Sequence, residues 1–287
     1  MSPSVHLLIL TWNAKQMVLD CLESVLTIDY DNLTVVVIDN GSEDGTVDTL
    51  KKSYGNRIVL IENGENLRFA RGNNEGIKYS LAHGADYIML MNDDVKVDSA
   101  MVRELVDEAG KDERIGVVGP KIYYYDPPDQ IWFAGGNVYL YQGVCKHRGI
   151  RQPDRGQFDE IAECDYITGC ALMIKRQVIE QIGLLDPVYP FYYEDSDWCW
   201  RAKLAGYRIL YVPKARMWHK ISMHAGQLSR FKILTKLKSG WIFFRRYGKF
   251  YHLFTIPIFF TLDVLRVIGL ILSGKIKPAS KTSIKND

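Results

Sequence analysis

The sequence predicts an α/β protein: a mostly parallel sheet with helices on both faces, extended by amphipathic helices at the C-terminus. Three observations carry that reading. Through residues 1–120, short apolar runs rich in Val and Ile alternate with stretches whose apolar residues recur at helical spacing. The polar clusters Thr11-Trp12-Asn13, Asp39-Asn40-Gly41-Ser42 and Asn92-Asp93-Asp94 each stand where a strand-like run stops. Open α/β sheets hold their ligands at such carboxyl ends. Finally, residues 226–287 hold 12 of the 36 basic residues but two of the 34 acids, so a total of +2 divides into +10 there and −8 elsewhere. An acidic body with a basic, apolar tail points to a polyanionic surface as partner.

In chain order, Val5–Thr11 is a strand apolar enough to be buried on both faces. Val18, Cys21, Leu22, Val25 and Leu26 mark one side of a helix. Val35–Ile38 is a strand, Thr46–Tyr54 a helix, Ile58–Ile61 a strand and Asn73–Ala82 a helix. Tyr87–Met91 is a strand, Met101–Ala109 a helix, and Ile115–Val118 a strand that stops at Gly119-Pro120. Beyond residue 120 aromatics and glycines thicken, as in Tyr123-Tyr124-Tyr125 and Trp132-Phe133-Ala134-Gly135-Gly136. Tyr139 to Gly143 reads as an irregular strand, and Ile167–Ile174 as a strand broken by Gly169. Glu194–Leu204 is a helix and Arg208–Val212 a strand stopped by Pro213. No linker-like segment divides this span, so residues 1–225 form one domain of two halves, 1–120 and 121–225.

At 47% hydrophobic and 24% charged residues, the chain is neither disordered nor fibrous. Its five scattered cysteines argue against a disulfide framework or zinc ribbon and suit a reducing compartment. Met1–Leu10 lacks the basic start and long apolar core of a signal peptide. In the tail, Phe250–Leu262 is uncharged but holds Pro257, and Asp263 and Arg266 precede Val267–Leu272. A spanning helix needs about 20 apolar residues. The interruptions favour a helix pair lying in, or shallowly inserted into, an anionic membrane surface. Thr255, Asp263, Arg266 and Ser273 form its polar stripe, and Arg245, Arg246, Lys249, Lys275 and Lys277 its flanking bases. The competing reading is a helix packed on the body or in a homo-oligomer interface. Long aliphatic and aromatic runs between the bases speak against nucleic acid.

Five clusters carry chemistry. Asp93-Asp94, directly after a buried strand, offer hard oxygen ligands for Mg²⁺ or Mn²⁺; they also suit a polar turn before a helix. Asp39, at a strand end, can accept a hydrogen bond from a nucleobase or ribose, while Asp44 or Gly45 caps the next helix. Trp12 suits a base-stacking site or the core. Glu194-Asp195-Ser196-Asp197 crowds three acids among aromatics, which raises carboxylate pKa values and suits a general base; the same acids complement a helix N-terminus. His219 can complete a metal shell or serve structure alone.

In this order the clusters resemble family 2 glycosyltransferases with the GT-A fold. The matching segments are Thr11-Trp12-Asn13, Val37 to Thr46, Asn66 to Gly76, Asn92-Asp93-Asp94, Thr168-Gly169 to Arg176, Glu194-Asp195-Ser196-Asp197 to Arg201, and Trp218-His219. Together they cover residues 5–220, with the nearest likeness to bacterial rhamnosyltransferase-like members. Two positions depart from the pattern: Asn92 stands where many members have Asp, and Leu67-Arg68 replaces x-Gly.

The resemblance implies inverting transfer from a dTDP-, UDP- or GDP-linked sugar to a glycan or polyprenyl-linked acceptor in cell-surface polysaccharide biosynthesis. It implies donor contacts from Thr11, Trp12, Asn13, Asp39, Asn40, Arg68, Arg71, Asn73, Asn92 and Asp93. Asp94 and His219 would hold the ion, Asp195 would act as base with Glu194 beside it, and Thr168, Gly169 and Trp198 would meet the acceptor. The expected location is cytoplasmic, peripheral on the inner face of the cell membrane. A sugar nucleotidyltransferase needs a glycine-rich loop after the first strand, where Thr11 to Lys15 has no glycine. A non-catalytic binding protein of the same fold is the other alternative.

Overall fold

The computed structural model describes residues 2–220, 230–252, 254–259, 261–262 and 265. Strands β1 (Val5–Thr11), β2 (Leu33–Asp39), β3 (Val59–Glu62) and β4 (Tyr87–Asn92) form a parallel group in the order β3-β2-β1-β4. β1 is buried almost throughout, as its unbroken apolar run requires. Helices α1 (Lys15–Val25), α2 (Thr46–Tyr54) and α3 (Arg68–Ala82) connect these strands. Val18, Cys21, Leu22 and Val25 are the buried side of α1, as their spacing predicts.

α3 starts five residues before the expected Asn73. Gly72 stands inside this helix, and a Cβ there would lie 2.7 Å from Leu10 and 2.9 Å from Asn40 Oδ1. Close approach to β1 and the β2 loop, not a turn, explains that glycine.

The second half changes strand direction. β5 (Val95–Val97) and α4 (Met101–Ala109) lead into β6 (Ile115–Tyr124). The long strand β13 (Arg208–His219) runs parallel to β6 and antiparallel to β5. β12 (Ala171–Lys175) inserts antiparallel between β4 and β6 and joins the two halves into one sheet; the short strands β7 (Gln130–Phe133) and β10 (Gln152–Pro153) extend it beyond β6, and β11 (Ala162–Glu163) pairs with β13. The sheet is therefore parallel in the first half and mixed in the second. α3 packs against β1 and β2, and α4 against β6 and β13.

Two expected stops fail. β6 continues through Gly119-Pro120, and β13 continues through Pro213 because a register shift between Val212 and Arg216 takes the proline out of the ladder. The irregular strand at 139–143 is instead the turn between β8 (Gly136–Tyr139) and β9 (Val144–His147), with Gly143 at φ +69°. Residues 167–170 lie outside β12, and their backbone serves the site described below.

α5 (Arg176–Ile182) and α6 (Glu194–Leu204) complete the body, and α7 (Arg230–Tyr247) docks on it. Phe243 and Phe244 bury against Tyr189, Tyr193 and Trp200, and Ser239 Oγ donates to Phe191 O at 2.7 Å. Arg246 is not a lipid-facing base. Its guanidinium pairs with Asp186 at 2.8 Å and with fully buried Asp197 at 2.9 Å. The boundary drawn at residue 225 thus does not release α7 from the body. Asp263, Arg266, Val267–Leu272, Ser273, Lys275 and Lys277 lie outside the described residues. No described helix is long and apolar enough to cross a membrane.

Candidate active site

Two loops latch the carboxyl ends of β1 and β2. Asn13 N–H donates to Ser42 Oγ at 2.8 Å, and Asn13 Oδ1 accepts from Glu43 N–H at 2.8 Å. The latch holds Asn13 at φ +49°, a conformation Asn tolerates. Asp39 is buried; its Oδ2 accepts from the Gly41 and Ser42 amides at 3.0 and 2.8 Å, while Oδ1 has no partner among the described residues. Gly41 sits at φ +76°, where a Cβ would come within 2.8 Å of the Glu65 backbone. Trp12 is exposed beside this loop.

The acidic turn follows β4. Thr11 Oγ1 donates to Asp93 Oδ2 at 2.7 Å. Burial pushes Asp93 up to about 6, against the Thr11 hydrogen bond and with the Asp94 charge adding to the rise. Asp94 meets a residue 125 positions away: His219 Nε2 hydrogen-bonds its Oδ2 at 2.9 Å. The β5–β13 register brings them together by pairing His219 with Val95, and Lys220 N–H donates to Asp94 O at 2.7 Å. Burial opposes ionisation of Asp94, but the His219 hydrogen bond and charge outweigh it and hold the carboxyl below its usual range. Asn92, the unusual residue of the turn, stands beside Asp94 and favours the same ionised form.

Across the cleft stands the start of α6. Tyr192 and Tyr193 both adopt positive φ, 69° and 70°, a strained pair costing about 1–3 kcal/mol each. The turn they make points Glu194 and Asp195 into the cleft. Asp195 Oδ2 accepts from Gly169 N–H at 2.8 Å, and Oδ1 from Ser196 N–H at 2.6 Å. Glu194 is buried with Oε2 unpartnered among the described residues. Burial raises the pKa of both carboxyls, and Asp195 raises that of Glu194 further. Gly169 cannot be larger: a Cβ would come within 2.7 Å of Phe69.

Asp94, His219, Asn92, Thr168, Gly169, Glu194 and Asp195 line one cleft of about 480 Å³. Sequence reasoning missed its other walls, notably Phe69, His147 and Tyr166. His147 is half-buried and packs against Phe133, with ring centroids 4.9 Å apart; desolvation lowers it to about 4, so it is neutral at physiological pH. Trp132 packs edge-on against both His147 and His219, at 4.8 and 4.6 Å. The aromatic run at 132–133 was visible in the sequence; nothing local singled out His147.

Several expected contacts fall elsewhere. Trp198 is 1% exposed, and its Nε1 donates to Gly183 O at 2.8 Å, so it is a core residue and not an acceptor contact. Asn73 is buried in α3 and donates to Phe69 O at 3.0 Å. Asn40 staples two loops, donating to Arg68 O at 3.3 Å and accepting from Asn63 at 2.8 Å. Arg68 and Arg71 line a separate hollow of about 350 Å³ with Pro187 and Pro190.

Solved structures show that this architecture is the GT-A fold. GalNAc-T7 with UDP, GalNAc and Mn²⁺ superimposes at TM-score 0.65 with 17% identity, covering 82% of this chain and 47% of that one. The mannosyltransferase PcManGT from Pyrobaculum calidifontis, solved with GDP-Man and Mn²⁺, superimposes at 0.63 with 15% identity, covering 96% and 80%. The chain belongs to glycosyl transferase family 2, whose family model matches residues 7–183. It is 26% identical to an N-acetylglucosaminyl-diphospho-decaprenol L-rhamnosyltransferase of Mycobacterium tuberculosis, covering 74% of each chain. It is 25% identical to the dTDP-rhamnosyl transferase RfbF of Shigella flexneri, covering 77% of this chain and 70% of that one. Against the uncharacterized protein y4gI of Sinorhizobium fredii, 28% identical, it spans 25% of that protein's length.

Two features bear on a divalent ion. His219 Nδ1 is buried without a hydrogen bond among the described residues, and both oxygens of the Asp94 carboxylate lie 2.9 Å from His219 Nε2. No described cluster of three His, Cys, Asp or Glu is placed to hold a metal. One carboxylate and one imidazole fit an ion that completes its shell with phosphate oxygens and water.

Proposed function

We propose that the chain is an inverting glycosyltransferase of cell-surface polysaccharide biosynthesis. It moves a sugar from a nucleotide diphosphate to a hydroxyl of a glycan or polyprenyl-linked acceptor. Two rhamnosyltransferase relatives favour rhamnose and a dTDP donor. The observation that carries the reading is the single cleft with Asp94–His219 on one wall and a carboxylate pair of raised pKa on the other.

Asp39, through its free Oδ1, accepts a hydrogen bond from the base, and Asp93 faces the ribose or diphosphate. Asp94 and His219 would hold Mn²⁺ or Mg²⁺, and such an ion would offset the negative charge on the departing diphosphate. Asp195 takes the proton of the acceptor hydroxyl as its oxygen bonds to the anomeric carbon. The bond from that carbon to the diphosphate breaks, and its electron pair leaves with the nucleotide. Two backbone amides fix the Asp195 carboxylate, so it is oriented before substrate arrives. The protein works peripherally at the inner face of the cell membrane; the exposed stripe Phe250, Phe254, Ile258, Leu262 and Leu265 supports that placement.

The test is a turnover screen of UDP-, GDP- and dTDP-sugars with Mn²⁺, with Mg²⁺ and with chelator. The expected result is transfer from dTDP-rhamnose that chelator abolishes and His219→Ala weakens at least tenfold in apparent metal affinity. Metal-independent transfer would overturn the ion assignment, and no turnover of any donor would overturn the enzyme assignment.

A further inference from the structure

A second concavity adjoins the catalytic cleft. Its volume is about 680 Å³, and it lies between the β8–β9 turn at Gly143, α7 and the chain that follows α7. Its walls are mainly apolar, with Val144, Leu237, Trp241, Phe244, Phe250 and Ile256 supplying most of the surface. Two glycines shape it: a Cβ on Gly143 would lie 3.0 Å from Ile256, and one on Gly240 3.3 Å from the Tyr193 hydroxyl. Tyr193 and Lys236 line both this groove and the cleft, so the two spaces adjoin at these side chains. Three exposed cations, Lys236, Arg245 and Lys249, border the apolar walls.

We propose that this groove holds the hydrocarbon chain of a lipid-phosphate acceptor. Lys236, at the junction, pairs with the phosphate, and the sugar end projects toward Asp195. The inference rests on the glycosyltransferase reading and assigns the acceptor its subsite. An apolar trough beside a polar cleft, with a cation where they adjoin, matches the order of parts in such a molecule: chain, phosphate, hydroxyl-bearing head. The outward stripe Leu234, Leu237 and Trp241 continues the apolar surface from the groove to the outside, giving the chain a route from a bilayer. The remaining tail of the protein is a poor occupant. Residues 266–287 carry five basic residues and one acid, which the three bordering cations repel.

The test is direct binding of farnesyl diphosphate to the full chain without metal, read by tryptophan fluorescence beside inorganic diphosphate. Farnesyl diphosphate is expected to bind at least tenfold more tightly than inorganic diphosphate. Leu237→Asp, at an exposed position, is expected to remove that advantage while leaving the melting temperature and nucleotide-diphosphate binding unchanged. Phe254→Asp, on the stripe outside the groove, is expected to leave farnesyl diphosphate binding unchanged. Equal affinity for the two diphosphates overturns the proposal, as does an intact advantage in Leu237→Asp or an equal loss in Phe254→Asp. This readout needs no turnover, so an inactive donor screen and an empty groove are separate failures.

Discussion

The N-terminal turn of α6 places acids in opposite surroundings a few ångströms apart along one helix. Glu194 and Asp195 face the cleft, where their described hydrogen-bond partners are amides and a hydroxyl. Asp197 faces the body and is saturated: Tyr189, Tyr247 and Arg246 all donate to Oδ1 within 2.9 Å, and Arg201 reaches Oδ2 at 3.0 Å. The same residue type therefore does two jobs. A fully paired carboxylate costs little to keep ionised and serves as an anchor. An under-paired one in a dry site resists ionisation, so once ionised it holds a proton more tightly, which is what a general base needs.

The largest effect expected on the reactive side of this contrast comes from Asp195→Asn. Removing a general base costs about 10²–10⁴-fold in kcat, with nucleotide-diphosphate binding retained by calorimetry. Full activity in this variant would move the base elsewhere in the cleft.

On the anchoring side, Asp197→Ala strands Arg246 and two tyrosine hydroxyls against α7. Breaking a buried ion pair costs about 3–5 kcal/mol, and each 1 kcal/mol lowers Tm by about 2–4 °C at this chain size. A fall of at least about 6 °C and faster proteolysis within α7 are expected. A wild-type melt would show that Phe243 and Phe244 hold α7 without the ionic anchor.

The same contrast explains what could be read in the sequence. Thr46–Tyr54 and Met101–Ala109 are helices with the expected bounds, and Asp39 and Asp93 stand at strand ends as expected. Those features rest on local periodicity and on strands buried along their length, which neighbouring residues announce. The anchor does not: Asp197 and Arg246 are 49 residues apart, and Arg246 looks from its neighbours like another tail base. Asp94 and His219 became legible only through resemblance, because a β-ladder between β5 and β13 joins them. The bulge at Pro213 was unreadable for a related reason, since a bulge that absorbs a proline belongs to the partner strand as much as to its own; Gly119-Pro120 pair in register with Tyr211-Val212.

The smallest effect separates the two environments by pH. The folded-state pKa of Glu194 is raised by burial and by the neighbouring Asp195 charge. Above the ordinary glutamate range the unfolded chain has already lost this proton while the folded chain keeps it. The native state then binds more protons than the unfolded one, so stability falls as pH rises. The stabilising contribution is complete below the unfolded pKa and is lost as pH climbs through the raised folded value. Glu194→Gln cannot ionise and escapes that loss. The expected result is a Tm for the variant that matches wild type near pH 5 and exceeds it increasingly toward pH 9. If Glu194→Gln instead loses stability as pH rises, the carboxylate is held ionised by a partner in the cleft, and the reactive and anchoring acids are not the two classes their contacts make them.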